Sequence, residues 1–175
     1  MMFGYNFEIE HTPIMREIVK ATGCETYLEL GVSVGYNIHA MSPYVNNCIG
    51  VDIEDIRKHF DFKFYKMSTD KFFSQFKGKA DIIFIDADHG FEAVKKDFVN
   101  SISILSKNGI IFIHDTDPVS REYLNPKLCN DSYRVIDWIA MTHSDLDILT
   151  LPISVTGLTM VKRFCDRRIY EIRDI

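Results

Sequence analysis

Tyr27-Leu-Glu-Leu-Gly-Val-Ser-Val-Gly-Tyr-Asn37, taken together with Cys48-Ile-Gly-Val-Asp52, decides how this chain folds. Tyr27, Leu28 and Leu30 suit a buried strand that runs into Gly31 and Gly35, and a short helix then reaches Met41, where Ser42-Pro43 stops it. Gly31 lets the chain turn tightly off the strand, and Gly35 lets a ligand or another backbone approach closely. The helix turns unpaired N–H groups and a positive dipole end toward the loop. Asp52 closes the next strand, where a carboxylate can accept both hydroxyls of a ribose. The geometry expected is a nucleotide-like cofactor laid across the carboxyl edge of a parallel sheet.

The spacing of the glycines chooses among such cofactors. A dinucleotide fold calls for G-x-G-x-x-G, and Ser33 stands where the middle glycine would fall. What is present is Glu29-x-Gly31-x-x-x-Gly35, which resembles motif I of the class I methyltransferases that use S-adenosylmethionine. In that motif the acid organises the amino-acid end of the cofactor and the acid on the second strand holds the ribose.

Composition narrows the field further. The chain has 175 residues, of which 46% are hydrophobic and 26% charged, so one globular domain spanning 1–175 is expected. A formal charge of −5 and the lack of basic runs apart from Lys162-Arg163 and Arg167-Arg168 speak against a nucleic-acid partner. Cys24, Cys48, Cys129 and Cys165 form no C-x-x-C pair and read as free thiols. No membrane-length apolar run or signal peptide is seen, and a cytoplasmic location with no membrane partner is expected.

In chain order, Thr12-Pro13 opens a helix whose face carries Ile14, Ile18 and Ala21 and which ends at Gly23. Beyond Asp52, Glu54 to His59 suggests one helical turn and Phe62 to Lys66 a strand. Ser68-Thr69-Asp70 caps a helix from Lys71 to Lys77 that Gly78 ends. Asp81 to Asp86 is a fully buried strand, and Ala87 to Gly90 a turn. Phe91, Val94, Phe98, Ile102 and Leu105 mark one long amphipathic helix. Lys107-Asn108-Gly109 turns into the strand Ile110–Ile113. Thr116 to Asp131 has no period and reads as a surface loop, with Arg121 and Tyr123 placed to close over a ligand. A helix from about Ser132 to Thr142 precedes two strands, Leu146–Leu151 and Leu158–Arg163, too close in sequence to be anything but antiparallel. The pattern is that of an α/β, Rossmann-like class I methyltransferase fold: a mostly parallel seven-stranded sheet with a C-terminal antiparallel hairpin and helices on both faces.

Five expected strand ends carry polar groups: Glu29, Asp52, Ser68 to Asp70, Asp86 to His89, and His114-Asp115. Ligands of such sheets bind outside the carboxyl ends of the strands, so one shared pocket is expected. The segment Phe84-Ile-Asp-Ala-Asp-His-Gly-Phe-Glu-Ala-Val-Lys-Lys-Asp-Phe98, with Asn108 to Asp115 beyond it, resembles methyltransferase family 24, related to macrocin-type O-methyltransferases and to cephalosporin-biosynthesis proteins. The resemblance implies an enzyme that binds S-adenosylmethionine and methylates a hydroxyl of a small molecule such as a sugar. It places Glu29, Gly31 and Gly35 at the methionine end, Asp52 at the ribose, Met67 and Ser68 beside the adenine, and Asp86 at the methyl-transfer site. A base must remove the acceptor's proton; His89 is the first candidate and His114 the second. Alternatively Asp86 and Asp115 hold a divalent cation, magnesium in related enzymes, although His114 and Thr116 depart from the residues found beside such acids. The rival readings are a NAD-type oxidoreductase, a cofactor-binding module without turnover, and a metal-dependent hydroxylase. A large acceptor would require a homo-oligomer to supply more surface.

Overall fold

Apolar strands and amphipathic helices alternate along the chain and close into one seven-stranded sheet of order β3-β2-β1-β4-β5-β7-β6. The computed structural model describes residues 10–56 and 61–164. The elements are α1 His11–Thr22, β1 Thr26–Leu30, α2 Tyr36–Met41, β2 Asn47–Asp52, β3 Lys63–Lys66, α3 Thr69–Gln75, β4 Ala80–Ile85, α4 Phe91–Ile104, β5 Leu105–His114, α5 Arg134–Thr142, β6 Leu146–Leu151 and β7 Leu158–Arg163. Strands β1 to β5 pair in parallel, and β7 inserts antiparallel between β5 and β6. The expected fold class is therefore the one observed.

Side-chain alternation divides the core between the two faces of the sheet. Leu28, Leu30, Ile83, Ile85, Ile111 and Ile113 pack with Phe72 of α3, Val94 and Phe98 of α4, and Val135 and Ile139 of α5. Tyr27, Ile82, Phe84 and Phe112 point the other way and meet Met15 and Val19 of α1 and Ile38 and Met41 of α2. Both faces being covered explains why residues 82–85 of β4 and 110–113 of β5 are apolar without interruption rather than at every second position. Among the described residues no helix is long and apolar enough to cross a membrane.

Several expected boundaries shift. Helix α1 begins at His11, not at a Thr12 cap, and buries Met15 and Val19 while Ala21 is exposed. The Thr12 hydroxyl instead donates to Asn37 Oδ1, joining α1 to α2. Helix α3 starts two residues early because Ser68 alone is the cap, its Oγ accepting the Lys71 N–H at 3.3 Å, and Phe76 is already extended. Leu105 leaves α4 and pairs with Ala80; the Lys107–Gly109 turn survives as a register shift inside β5. The stretch from Thr116 to Asp131 is more ordered than a surface loop, with a 3-10 turn at Arg121–Leu124 and a fully buried Cys129. Of the helical turn expected from Glu54 to His59, residue 54 is only a bend, and residues 57–59 lie outside the described residues, as do residues 1–9, Cys165 and Arg167-Arg168. Cys24, Cys48 and Cys129 are free thiols, and burial pushes Cys48 and Cys129 up to about 12.

Gly31 is the tightest point of the fold. Its φ is 86°, and a Cβ there would stand 2.1 Å from the Asp86 carbonyl oxygen and 2.6 Å from Ala87 Cα. Close backbone approach, expected at Gly35, is thus the task of Gly31, and Gly35 supplies a left-handed residue ahead of α2. Gly31→Ala is expected to cost roughly 2–5 kcal/mol, combining overpacking against backbone with left-handed strain. Gly23→Ala serves as the control, since Gly23 is equally left-handed with nothing within 4 Å; it should cost only about 1–2 kcal/mol. Urea unfolding midpoints of the two variants measure the difference, and equal losses would contradict the packing argument.

Candidate active site

The ends of β1, β2 and β4 are cross-tied before any ligand is considered. Gly31 N–H donates to Val51 O at 2.9 Å and Asp86 N–H to Leu30 O at 2.8 Å. Asp52, the last residue of β2, then binds the loop after β1: its Oδ2 accepts the Val32 and Ser33 N–H groups at 2.9 Å each, and its Oδ1 accepts Glu54 N–H at 3.0 Å. Each carboxylate oxygen can take two donors, so Asp52 keeps capacity for an outside hydroxyl. Ser33 holds φ 48°, a left-handed conformation at the place where a dinucleotide fingerprint has glycine.

Glu29 sits beneath this loop, 1% exposed, on the α1–α2 side of the sheet. Its Oε2 accepts the Tyr27 hydroxyl at 2.7 Å, and its Oε1 has no partner of normal geometry. Burial raises the Glu29 carboxyl well above the carboxylate range, and the neighbouring Asp86 and Asp52 add to it.

At the ends of β4 and β5, two acids and two imidazoles form a ring. His114 Nδ1 lies 2.9 Å from Asp86 Oδ1 and 3.2 Å from Asp115 Oδ1, and His89 Nδ1 lies 2.9 Å from Asp115 Oδ2. His89 Nδ1 also meets the Leu128 carbonyl, and its Nε2 is 3.6 Å from Asp86 Oδ1. The Asp115 contact outweighs burial and raises His89 to about 9. The raised pKa favours the protonated imidazole, the form that pairs with Asp115. Burial lowers the His114 pKa, but the Asp86 carboxylate outweighs it and the net shift is upward. Although burial works against its charge, the two imidazoles hold Asp115 below its usual range. His114 Nε2 stands free of carboxylates and 3.2 Å from the Thr156 hydroxyl. On the far side of its ring lies His11, 4.4 Å away between centroids, with both ring nitrogens buried and unpartnered; burial first and His114 second lower its pKa.

Asp86, His114 and Asp115 each offer a donor atom within 4.8 Å of the others. One donor is an imidazole nitrogen lodged between the two carboxylates at hydrogen-bond distance, where a bound ion would have to displace its proton. That set does not match the oxygen coordination magnesium prefers.

A cavity of about 850 Å³ runs along this edge, within the range of small-molecule sites. Gly31, Asp52, Met67, Ser68, Asp86, His89, His114 and Asp115 all line it, as the strand-end reading expected. Glu29 and Gly35 are buried behind the loop and do not line it. Arg121 and Tyr123 do not reach it either; Pro126 and Lys127 are the part of that loop that does. Asp97 and His11 were missed by the sequence reading. Asp97 carries a visible signal, since it shares the buried 94–98–101 face of α4. His11 has none, because nothing local marks a residue that meets a strand end a hundred positions away. The lining counts seven carboxylic acids against two lysines, so the cavity favours a cation over an anion.

The Bacillus cereus O-methyltransferase solved in complex with SAH has the same fold, at 15% identity, with 91% of this chain and 84% of that one covered and a TM-score of 0.70. The O-methyltransferase TomG of Streptomyces achromogenes, involved in tomaymycin synthesis and solved with SAM, matches at 11% identity over 91% and 83% with a TM-score of 0.67. A ribosomal protein L11 methylase from Lactobacillus delbrueckii subsp. bulgaricus matches at 16% identity over 93% and 83% with a TM-score of 0.63. No curated protein matches by sequence. Residues 28–116, just over half of the chain, match the methyltransferase domain of family 24, and they run from β1 through the Asp86–His114–Asp115 cluster. The chain belongs to methyltransferase family 24.

Proposed function

We propose that the cavity binds S-adenosylmethionine and that the protein methylates a hydroxyl of a small polar molecule. The observation that carries this is the acid-lined cavity across the strand ends. A sulfonium and an ammonium suit seven carboxyls, whereas the pyrophosphate of NAD would meet no glycine-rich cradle and an opposing field. Asp52 would take one ribose hydroxyl at the acceptor position its Oδ1 keeps open. Glu29, with its bare Oε1, would answer the ammonium from below the Gly31–Gly35 loop. Met67 and Ser68 would flank the adenine. The O-methyltransferases of the same fold support a hydroxyl acceptor, while the L11 methylase shows that the fold alone does not set the acceptor class. The rest of this reading is a cytoplasmic enzyme acting on a metabolite, with no nucleic acid involved.

When bound, the cofactor would supply an electrophilic methyl group on a positive sulfur for transfer to the acceptor oxygen. The protein must align that oxygen and take its proton. Asp86 holds His114 through Nδ1, fixing the tautomer that leaves Nε2 as the proton acceptor, and the Thr156 hydroxyl marks where an O–H meets it. His89 keeps Asp115 neutralised, so that the acids left uncompensated face the cofactor's charge. Magnesium has no part in this reading, given the nitrogen donor between the acids.

Calorimetric titration with S-adenosylhomocysteine tests the cofactor. Micromolar binding is expected, and Asp52→Asn should weaken it by about 1–3 kcal/mol, the cost of a mispaired polar contact; binding of NAD alone would refute the assignment.

The proton acceptor is tested by the pH dependence of methyl transfer. A base must be unprotonated, and the His114 pKa is raised, so the rising limb should lie above pH 6.5. The His89 pKa is raised to about 9, so its ion pair with Asp115, whose contribution to stability is full below 6.5, persists in the folded protein until pH passes about 9, giving a falling limb there. His114→Gln should lower kcat by about 10²–10⁴ and abolish the rising limb, and chelation by EDTA should leave the rate unchanged. A flat profile in the unaltered protein, or loss of activity on chelation, would remove His114 from this role.

A further inference from the structure

The end of the cavity that would take the adenine carries, besides Met67 and Ser68, a residue to which the reading above gives no task. From Asp86 and His114 at β4 and β5 it passes Asp52 at β2 and finishes against Met67, Ser68 and Thr69 beyond β3, with Asp97 of α4 in its wall. With the ribose at Asp52 and the methyl group at Asp86, a nucleoside base can lie only toward β3. That end is shaped for one. Ile53 and Ile56, 69% and 55% exposed, offer apolar surface beside Met67, which suits the faces of a flat ring.

Asp97 is the unusual residue there. It is 3% exposed, and the Thr69 hydroxyl bonds to it. No lysine or arginine pairs with it among the described residues, because the adjacent Lys96 ammonium goes to Asp70 Oδ2 at 2.6 Å. A buried carboxyl with so little support is costly unless a ligand adds donors. Burial, followed by the charges of Asp70 and Asp88, raises it to about 6, so above neutrality it is an ionised group that can only accept.

We propose that Asp97 is a specificity residue that accepts a hydrogen bond from the 6-amino group of the base, selecting adenine over a 6-oxo purine. The inference rests on the cofactor reading above. A carbonyl at position 6 would set two acceptors against each other in a buried site, which discriminates strongly. Asparagine offers both an acceptor and a donor in the same shape, so it should accommodate either base.

Calorimetry at pH 8 with S-adenosylhomocysteine and S-inosylhomocysteine, on the full chain and on Asp97→Asn and Asp97→Ala, tests this. The unaltered protein should prefer the adenosyl compound at least tenfold. Asp97→Asn should keep adenosyl binding within a few-fold while the preference falls toward unity, and Asp97→Ala should lose adenosyl affinity. If Asp97→Ala does not fold, the near-isosteric Asp97→Asn still decides. A residue that merely ties α4 to Thr69 would leave the ratio between the two ligands unchanged. An unchanged ratio in Asp97→Asn, or equal binding of both compounds by the unaltered protein, overturns the inference and leaves the cofactor reading standing. Binding of neither compound overturns both.

Discussion

Everything at the active edge depends on how closely the backbone after β1 crosses the backbone after β4. At Gly31 the two chains come so near that a single methyl group would overlap the Asp86 carbonyl. The hydrogen bonds from Gly31 N–H to Val51 O and from Asp86 N–H to Leu30 O fix the crossing from both sides. Asp52 then closes the arrangement through two loop N–H groups. Three strand ends are thereby held in register by two backbone hydrogen bonds and one carboxylate. The side chains that matter to chemistry inherit their positions from it, as a site held on rigid elements requires.

Crowding carboxylates at one edge creates an electrostatic debt, and the two halves of the cavity meet it differently. Around β4 and β5 the compensation is internal: His89 and His114 are placed against Asp86 and Asp115, and the acids stabilise the imidazolium forms. Around β1 to β3 compensation is incomplete. Burial pushes the Glu29 carboxyl well up, Asp52 leans on backbone N–H groups, and Asp97 has a hydroxyl. A ligand rich in donors and positive charge is what this second half lacks.

Much of this was legible in the sequence, and the failures have a common cause. Strand ends were readable because apolar runs stop abruptly at Asp52, Asp86 and His114-Asp115, and the parallel order followed from the alternation with helices. The Ser33 substitution pointed away from a dinucleotide, and the structure adds that this serine still adopts the left-handed backbone a glycine would. What could not be read were contacts between residues distant in sequence. The partners of His89 are an example: nothing nearby in sequence announces that Asp115 and the Leu128 carbonyl meet its Nδ1. The buried face of α1 was misjudged because Ile14, Ile18 and Ala21 recur at helical spacing just as Met15 and Val19 do, and the residues that pack with Met15 and Val19, Tyr27, Ile38 and Phe84 among them, lie elsewhere in the sequence.

The stretch after β5 shows why the cofactor half is easier to read than the acceptor half. Strand ends and glycines dictate the first through local geometry. The second is shaped by Thr116 to Asp131, which has no periodicity but is pinned at three points. Leu128 O meets His89, Asp131 Oδ1 accepts the Phe91 N–H at 2.7 Å, and the Ser132 hydroxyl just beyond donates to Asp115 O. Two of these anchors fall on the residues that set the charge of the histidine–aspartate ring. The segment that reaches the cavity through Pro126 and Lys127 is thus mechanically joined to the histidine–aspartate ring. On the proposed reading, a change in its length or sequence would alter acceptor fit and the His89–Asp115 pair together, which couples acceptor choice to base chemistry.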